Sequence, residues 1–186
     1  MPGARRAPYG PGMATLPSTE PAMAVVRAAT GDERQVLEAF LDFLRAMVVR
    51  KARGLSEQDV RRRHVPSATT LAGLIKHLTV VERNWFARVL AQDPALRPPS
   101  EEDANRSFAV GDDETIEALI AAYEHACADS RRIAAGFPLD HEVPHEQVGA
   151  VSLRWIYVHM IEETARHAGH ADILRELTDG ATGSVV

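Results

Sequence analysis

The stretch Val151–Leu177, VSLRWIYVHMIEETARHAGHADILREL, decides the fold. At about 100° per residue from Met160, the side chains of Leu153, Ile156, Met160, Thr164, Ala171 and Leu174 fall in one arc, which predicts a long helix with a core-facing stripe. Glu163 and His167 lie in or at the edge of that arc, one turn apart, and His159 and His170 flank them. An ionised carboxylate beside a buried seam is costly unless it is paired or coordinates a metal. Glu163 therefore reads either as the partner of an arginine or, with His167, as two metal ligands offered by one helix.

Working outward, TLAGLIKHLTVVERNWFARVLAQ, Thr70–Gln92, predicts a second helix with Leu71, Leu74, Leu78, Val81 and Trp85 on one face. His77 shares that face, as a hydrogen-bonded core residue or as a third ligand. Before it, Val36, Leu37, Phe40, Leu41, Leu44, Met47 and Val48 form the stripe of a helix capped by Asp32 and stopped at Gly54. After it, Ile116, Leu119, Ile120, Tyr123, Cys127 and Ile133 mark a helix over Glu114–Ala135. Leu55–Thr69 reads as a polar connection, and the Pro-bearing loop Asp93–Asp112 is expected to edge or cover a site. The connection from Pro138 to Ala150 reads as a short strand or a loop, with His141 and His145 exposed to solvent. Four amphipathic helices and no convincing strand specify an all-α four-helix bundle. Residues 1–21 read as a disordered leader, 22–180 as the bundle and 181–186 as a disordered tail.

Composition narrows the function. The chain has 186 residues, 45% of them hydrophobic, which suits one domain with a sizeable core. Its 21 basic and 26 acidic residues give a net charge of -5, against a nucleic-acid surface as its main role. No apolar run reaches the length of a membrane span. Cys127 is the single cysteine, so no intrachain disulfide forms and a reducing cytoplasm fits. A homodimer is compatible with all of this.

Should the second and fourth long helices be neighbours at matching height, His77, Glu163 and His167 would make an open three-ligand site, with zinc the first choice and nickel, iron or manganese the alternatives. His159 and His170, each about one turn from a ligand candidate, are the candidates for proton transfer or for orienting a ligand. Arg154, Trp155, Asp172 and Arg175 read as helix-surface residues, Arg175 being able to meet an anionic substrate. A di-iron carboxylate bundle is disfavoured by Glu-x-x-x-His in place of Glu-x-x-His, and a zinc protease by the lack of His-Glu-x-x-His.

Together, TLAGLIKHLTVVERNWF and LRWIYVHMIEETARHAGHADILREL resemble the DinB superfamily of metal-dependent bundles, in the actinobacterial branch near mycothiol-dependent maleylpyruvate isomerase and the mini-circle protein of Streptomyces. The resemblance spans roughly Thr19 to Gly183. It implies a four-helix bundle of the DinB/YfiT type with a metal held by one histidine of the second helix and two residues one turn apart on the last. His77, Glu163 and His167 stand at those positions, Glu163 where the wider superfamily has histidine, and His170 where many relatives carry Gln. It further implies that a divalent metal activates a low-molecular-weight thiol such as mycothiol for transfer to, or isomerisation of, a small electrophile, as in detoxification. Cys127 lies on a predicted core stripe, so the nucleophile would come from outside the chain. The alternative is a bundle that binds a metal or a small ligand without turnover.

Overall fold

The structure, a computed structural model, describes residues 20–183. Residues 1–19 of the expected leader 1–21 and residues 184–186 of the expected tail 181–186 lie outside the described residues. Helix α1, Glu20–Ala28, lies on α2, Glu33–Ala52, and a single turn, α3, Glu57–Val60, follows. Helix α4, Leu71–Glu82, runs without a break into a π-helical segment, Arg83–Leu90. Then come α5, Glu101–Arg106, and α6, Ile116–Ala134. An antiparallel hairpin of β1, Glu142–His145, and β2, Gly149–Ser152, leads into α7, Leu153–Asp179. Among the described residues no helix is long and apolar enough to cross a membrane.

Local chemistry places the ends of the long helices. The Asp32 carboxylate accepts from the Gln35 N–H while the Gln35 side chain accepts from the Asp32 N–H, a reciprocal pair that starts α2. Hydroxyls of Thr70, Thr115 and Ser152 accept from the first turns of α4, α6 and α7. Helix α7 ends where Gly180 takes φ 76°, a left-handed conformation that side chains disfavour, and its N–H closes on the Glu176 carbonyl.

The four long helices form the expected all-α bundle: α2 packs along α7, α4 packs along α6, and α4 also meets α7 and α2. The neighbouring of α4 and α7 is the condition on which the candidate site depended. Leu153, Ile156, Met160, Thr164, Ala171 and Leu174 are all buried, so the arc read from the last helix is its core face. The stripe of α2 is turned from the expected one: Phe40 is 44% exposed, and Leu41, Arg45, Val48, Val49 and Ala52 face inward.

That turn has an electrostatic cause. Arg45 enters the core and donates through Nε and Nη2 to the two oxygens of Glu82, at 2.7 and 2.6 Å, and Glu82 is fully buried. Burial works against the guanidinium's charge, and the Glu82 carboxylate more than reverses that, so Arg45 holds its proton more tightly than usual. The buried apolar residues form two clusters. Val48, Ile75, Leu78, Tyr123 and Leu174 belong to one apolar cluster, and Leu41, Phe86, Ala134, Leu153, Ile156 and Met160 to the other.

Two expectations need correcting. The stretch Asp93–Asp112 is not all loop, because Ser100 and Asp103 cap each other's backbone and start α5 within it. His145 is not a solvent-exposed loop residue: it lies on β1, half-buried, with its ring stacked on Trp85 at 5.3 Å. His141 is likewise half-buried, packed on Phe137 at 4.6 Å.

Candidate metal centre

His77 projects from α4 toward α7, and the chain that follows α5 holds its ring. A Cβ at Gly73, one turn before His77, would sit 2.7 Å from the Phe108 carbonyl oxygen, so the glycine lets this segment come close to α4. Phe108 then stacks on the His77 ring at 4.0 Å with 13° between planes, and the Ser107 hydroxyl lies 2.8 Å from His77 Nδ1. The same hydroxyl donates to the Ala104 carbonyl at 2.5 Å. Its one proton is thus used, and it accepts from His77 Nδ1–H. That bond fixes the ring and turns Nε2 toward α7.

On α7, Glu163 and His167 meet this nitrogen. His77 Nε2 is 3.2 Å and His167 Nε2 3.1 Å from the same oxygen, Oε1 of Glu163. The two histidine rings lie edge to face at 4.9 Å. Hydrogen bonds from His167 and then His77, opposed by burial, hold the Glu163 carboxyl well below the usual carboxylate range, so it carries its charge at neutral pH. Glu163 therefore pairs with the two histidines and not with an arginine.

The donor set suits a divalent ion. With Nδ1 of His77 protonated toward Ser107, Nε2 presents either a second proton or a lone pair to Glu163 Oε1, and a lone pair facing a carboxylate oxygen calls for a cation between them. The ligand atoms of His77, Glu163 and His167 all lie within 4.8 Å of one another. Ligands about 2.0 Å from a tetrahedral ion stand roughly 3.3 Å apart, close to the two N···O separations found here.

Residues 36–180 match the family model described as Mycothiol-S-transferase. The chain belongs to the mycothiol S-transferase family. It is thereby a member of the DinB-like superfamily, as the sequence resemblance implies, and its family points to S-transferase activity related to mycothiol. None of the curated proteins matches the chain significantly. In this family member the matched region takes in all of α4, α6 and α7, and so every residue of the His77, Glu163 and His167 cluster.

The flanking histidines sit differently. His159 lies one turn before Glu163, its ring 4.4 Å from Trp85 and stacked on Trp155 at 5.3 Å, and burial holds its pKa below the usual imidazole value. His170 is exposed, with Nδ1 3.4 Å from Nδ1 of His167. Neither belongs to the three-residue cluster. Arg175 does not reach out toward a substrate: it donates to the Lys51 and Arg53 carbonyls at 3.1 and 2.9 Å, tying the end of α7 to the end of α2. Asp172 pairs with Lys51 and Arg154 with Glu33. Sequence reasoning missed Ser107 and Phe108 as site residues, although the loop that holds them was expected to border a site; Ser100-x-x-Asp103 was the available signal of a capped turn there.

Proposed function

We propose that the protein transfers a low-molecular-weight thiol of the mycothiol type to a small electrophile, using a divalent metal held by His77, Glu163 and His167. The observation that carries the reading is the convergence of those three side chains from two helices onto one point, with two imidazole nitrogens on a single carboxylate oxygen. A divalent ion bound there would lower the pKa of a coordinated thiol toward neutrality, zinc being the first choice for two imidazoles and a carboxylate. Ser107 and Phe108 fix the His77 ring, and the half-buried carboxylate of Glu163 supplies the negative charge that favours a dication over a water proton.

In the transfer, the thiol loses its proton, a sulfur–carbon bond forms to the electrophile, and a leaving group departs or the adduct is protonated. The proton transfer is assigned to His159, one turn before Glu163 on α7, and the orienting of the His167 ring to His170, whose Nδ1 lies 3.4 Å from His167 Nδ1. The nucleophile comes from outside, since Cys127 is buried. A cytoplasmic setting agrees with a free thiol as co-substrate.

Elemental analysis and thiol consumption test the proposal together. The purified protein should hold about one divalent ion per chain, His77→Ala and His167→Ala should lose it, and mycothiol consumption with a model electrophile should fall by about a hundredfold or more, beyond the 10–100-fold that loss of an outer-shell partner costs. Consumption that survives both substitutions and complete chelation would refute the metal role. A metal-loaded protein that consumes no thiol with any electrophile would leave a binding bundle.

A further inference from the structure

Between α4 and α7 the three-residue cluster continues into a row of aromatic rings. His77, Val81 and Trp85 stand four residues apart along α4 and the π-helical segment that extends it, and His167, Glu163, His159 and Trp155 do the same along α7, so each set lies along one side of its helix. The two sets meet at two levels. At the first, His77 meets Glu163 and His167; at the second, eight residues on along α4, Trp85 lies 4.4 Å from His159 and 5.4 Å from Trp155. Trp155 stacks on His159 with 6° between planes and Trp85 on His145 with 3°, and the two indoles are inclined at 49°.

The fold does not use up this surface. Trp155 remains 42% exposed although His159 is stacked on it, and Trp85, His145 and His159 are half-buried. The charges nearest the row are matched: Glu162 and Arg166, both felt by His159, pair with each other, and Arg88 pairs with Glu146 beside His145. A charged ligand thus finds no spare counter-charge along the row, whereas an uncharged one regains the contact that an exposed indole lacks. Among uncharged ligands, a flat unsaturated ring gains more than its area on an indole, because the two ring quadrupoles attract in offset or edge contact, and a saturated ring gains area alone.

We propose that Trp85, His159 and Trp155 form the subsite for the electrophile, and that the electrophile is a small uncharged molecule whose reacting carbon is attached through a short arm to a flat unsaturated ring. The direction of the arm rests on the function proposed above. One helical turn, about 5.4 Å, separates His159 from Glu163. A sulfur held about 2.3 Å from an ion in the cluster therefore lies within a few bonds of a ring seated on His159 and Trp85, with Trp155 closing the far side. For an aryl chloromethyl ketone, the sulfur bonds to the chloromethyl carbon, the carbon–chlorine bond breaks, chloride leaves with the electron pair, and the thiol's proton passes through His159 to solvent.

The test uses the purified full chain and two unreactive probes of similar size, acetophenone and cyclohexyl methyl ketone. Trp85 and Trp155 are the only tryptophans of the chain, so its tryptophan emission reports on this subsite alone. Acetophenone should change that emission saturably and bind more tightly than the saturated ketone. Trp155→Ala, at an exposed position that spares the core, should raise its dissociation constant about fivefold, the value of one ring contact, and Trp155→Phe should restore most of the loss. With mycothiol as the thiol, the preference for phenacyl chloride over chloromethyl cyclohexyl ketone, as a ratio of kcat/KM, should fall by the same factor in Trp155→Ala, a change that a merely structural role would not produce. Equal binding of the two probes, a ratio that Trp155→Ala leaves unmoved, or wild-type emission that shifts with protein concentration because a second copy covers Trp155, would each overturn the assignment. Trp155-dependent binding of acetophenone without any thiol transfer would refute the proposed function and leave the ring subsite standing, whereas transfer with no preference for the flat ring would do the reverse.

Discussion

Replacing Arg45 by methionine removes the guanidinium and keeps most of the side-chain volume, so the effect is mainly electrostatic. Glu82 has no solvent exposure and takes both of its oxygens to Arg45, at 2.7 and 2.6 Å. Without that partner its carboxylate must stay charged in the core or take up a proton, and breaking such a pair costs about 3–5 kcal/mol. A domain of this size is stable by about 5–15 kcal/mol, so Arg45→Met should lose a large part of the total. Urea unfolding at pH 7, followed by helical circular dichroism, should show a lower midpoint with an unchanged slope. The double variant Arg45→Met, Glu82→Leu should recover to within about 1 kcal/mol of the wild type, because the desolvation of both charges disappears with them. A loss under about 1 kcal/mol in the single variant would refute the reasoning, and so would a double variant no more stable than the single.

Two further outcomes follow from buried acids. Burial, and then the Glu82 carboxylate, push the Cys127 thiol up to about 12, so its thiolate at pH 8 is scarcer than that of a free thiol by about a thousandfold. Iodoacetamide should label Cys127 that much more slowly in the native protein than in urea, speeding up as pH rises; native labelling within tenfold of the unfolded rate would contradict its burial. The Tyr157 hydroxyl donates to Glu38 at 2.9 Å, and burial together with that carboxylate raises its pKa. The folded state thus keeps a proton that the unfolded chain gives up near pH 10, so this stabilisation is complete below that pH and is lost as pH rises through the folded-state value. Denaturation measured from pH 9 to 11 should show a shallower loss for Tyr157→Phe, and identical curves would remove Tyr157 from the account.

Most of the scaffold was readable because periodicity reports burial directly: the arc from Leu153 to Leu174 holds residue for residue. The ligand candidates were readable because a carboxylate and a histidine one turn apart on a core face need a reason. The miss at α2 has the same logic inverted, since the apolar pattern gave Arg45 no inward role until Glu82 supplied a partner from a helix 37 residues away. Helix α5 is too short for a period to show, and α1 was not read as a helix, its first two residues falling in the expected leader. His145 was misplaced because its contact, the face of Trp85, is far away in the chain and leaves no local trace.

The widened turn from Arg83 to Leu90 closes with the Ala91 N–H on the Phe86 carbonyl, five residues back instead of four. Such a turn amounts to one additional residue accommodated inside a helix, and it advances everything after it by about 100° around the axis. Loss of a single codon in this segment would restore the ordinary winding and turn the side chains that follow by about 100°, away from their present neighbours, while Leu71 to Leu78 kept their packing.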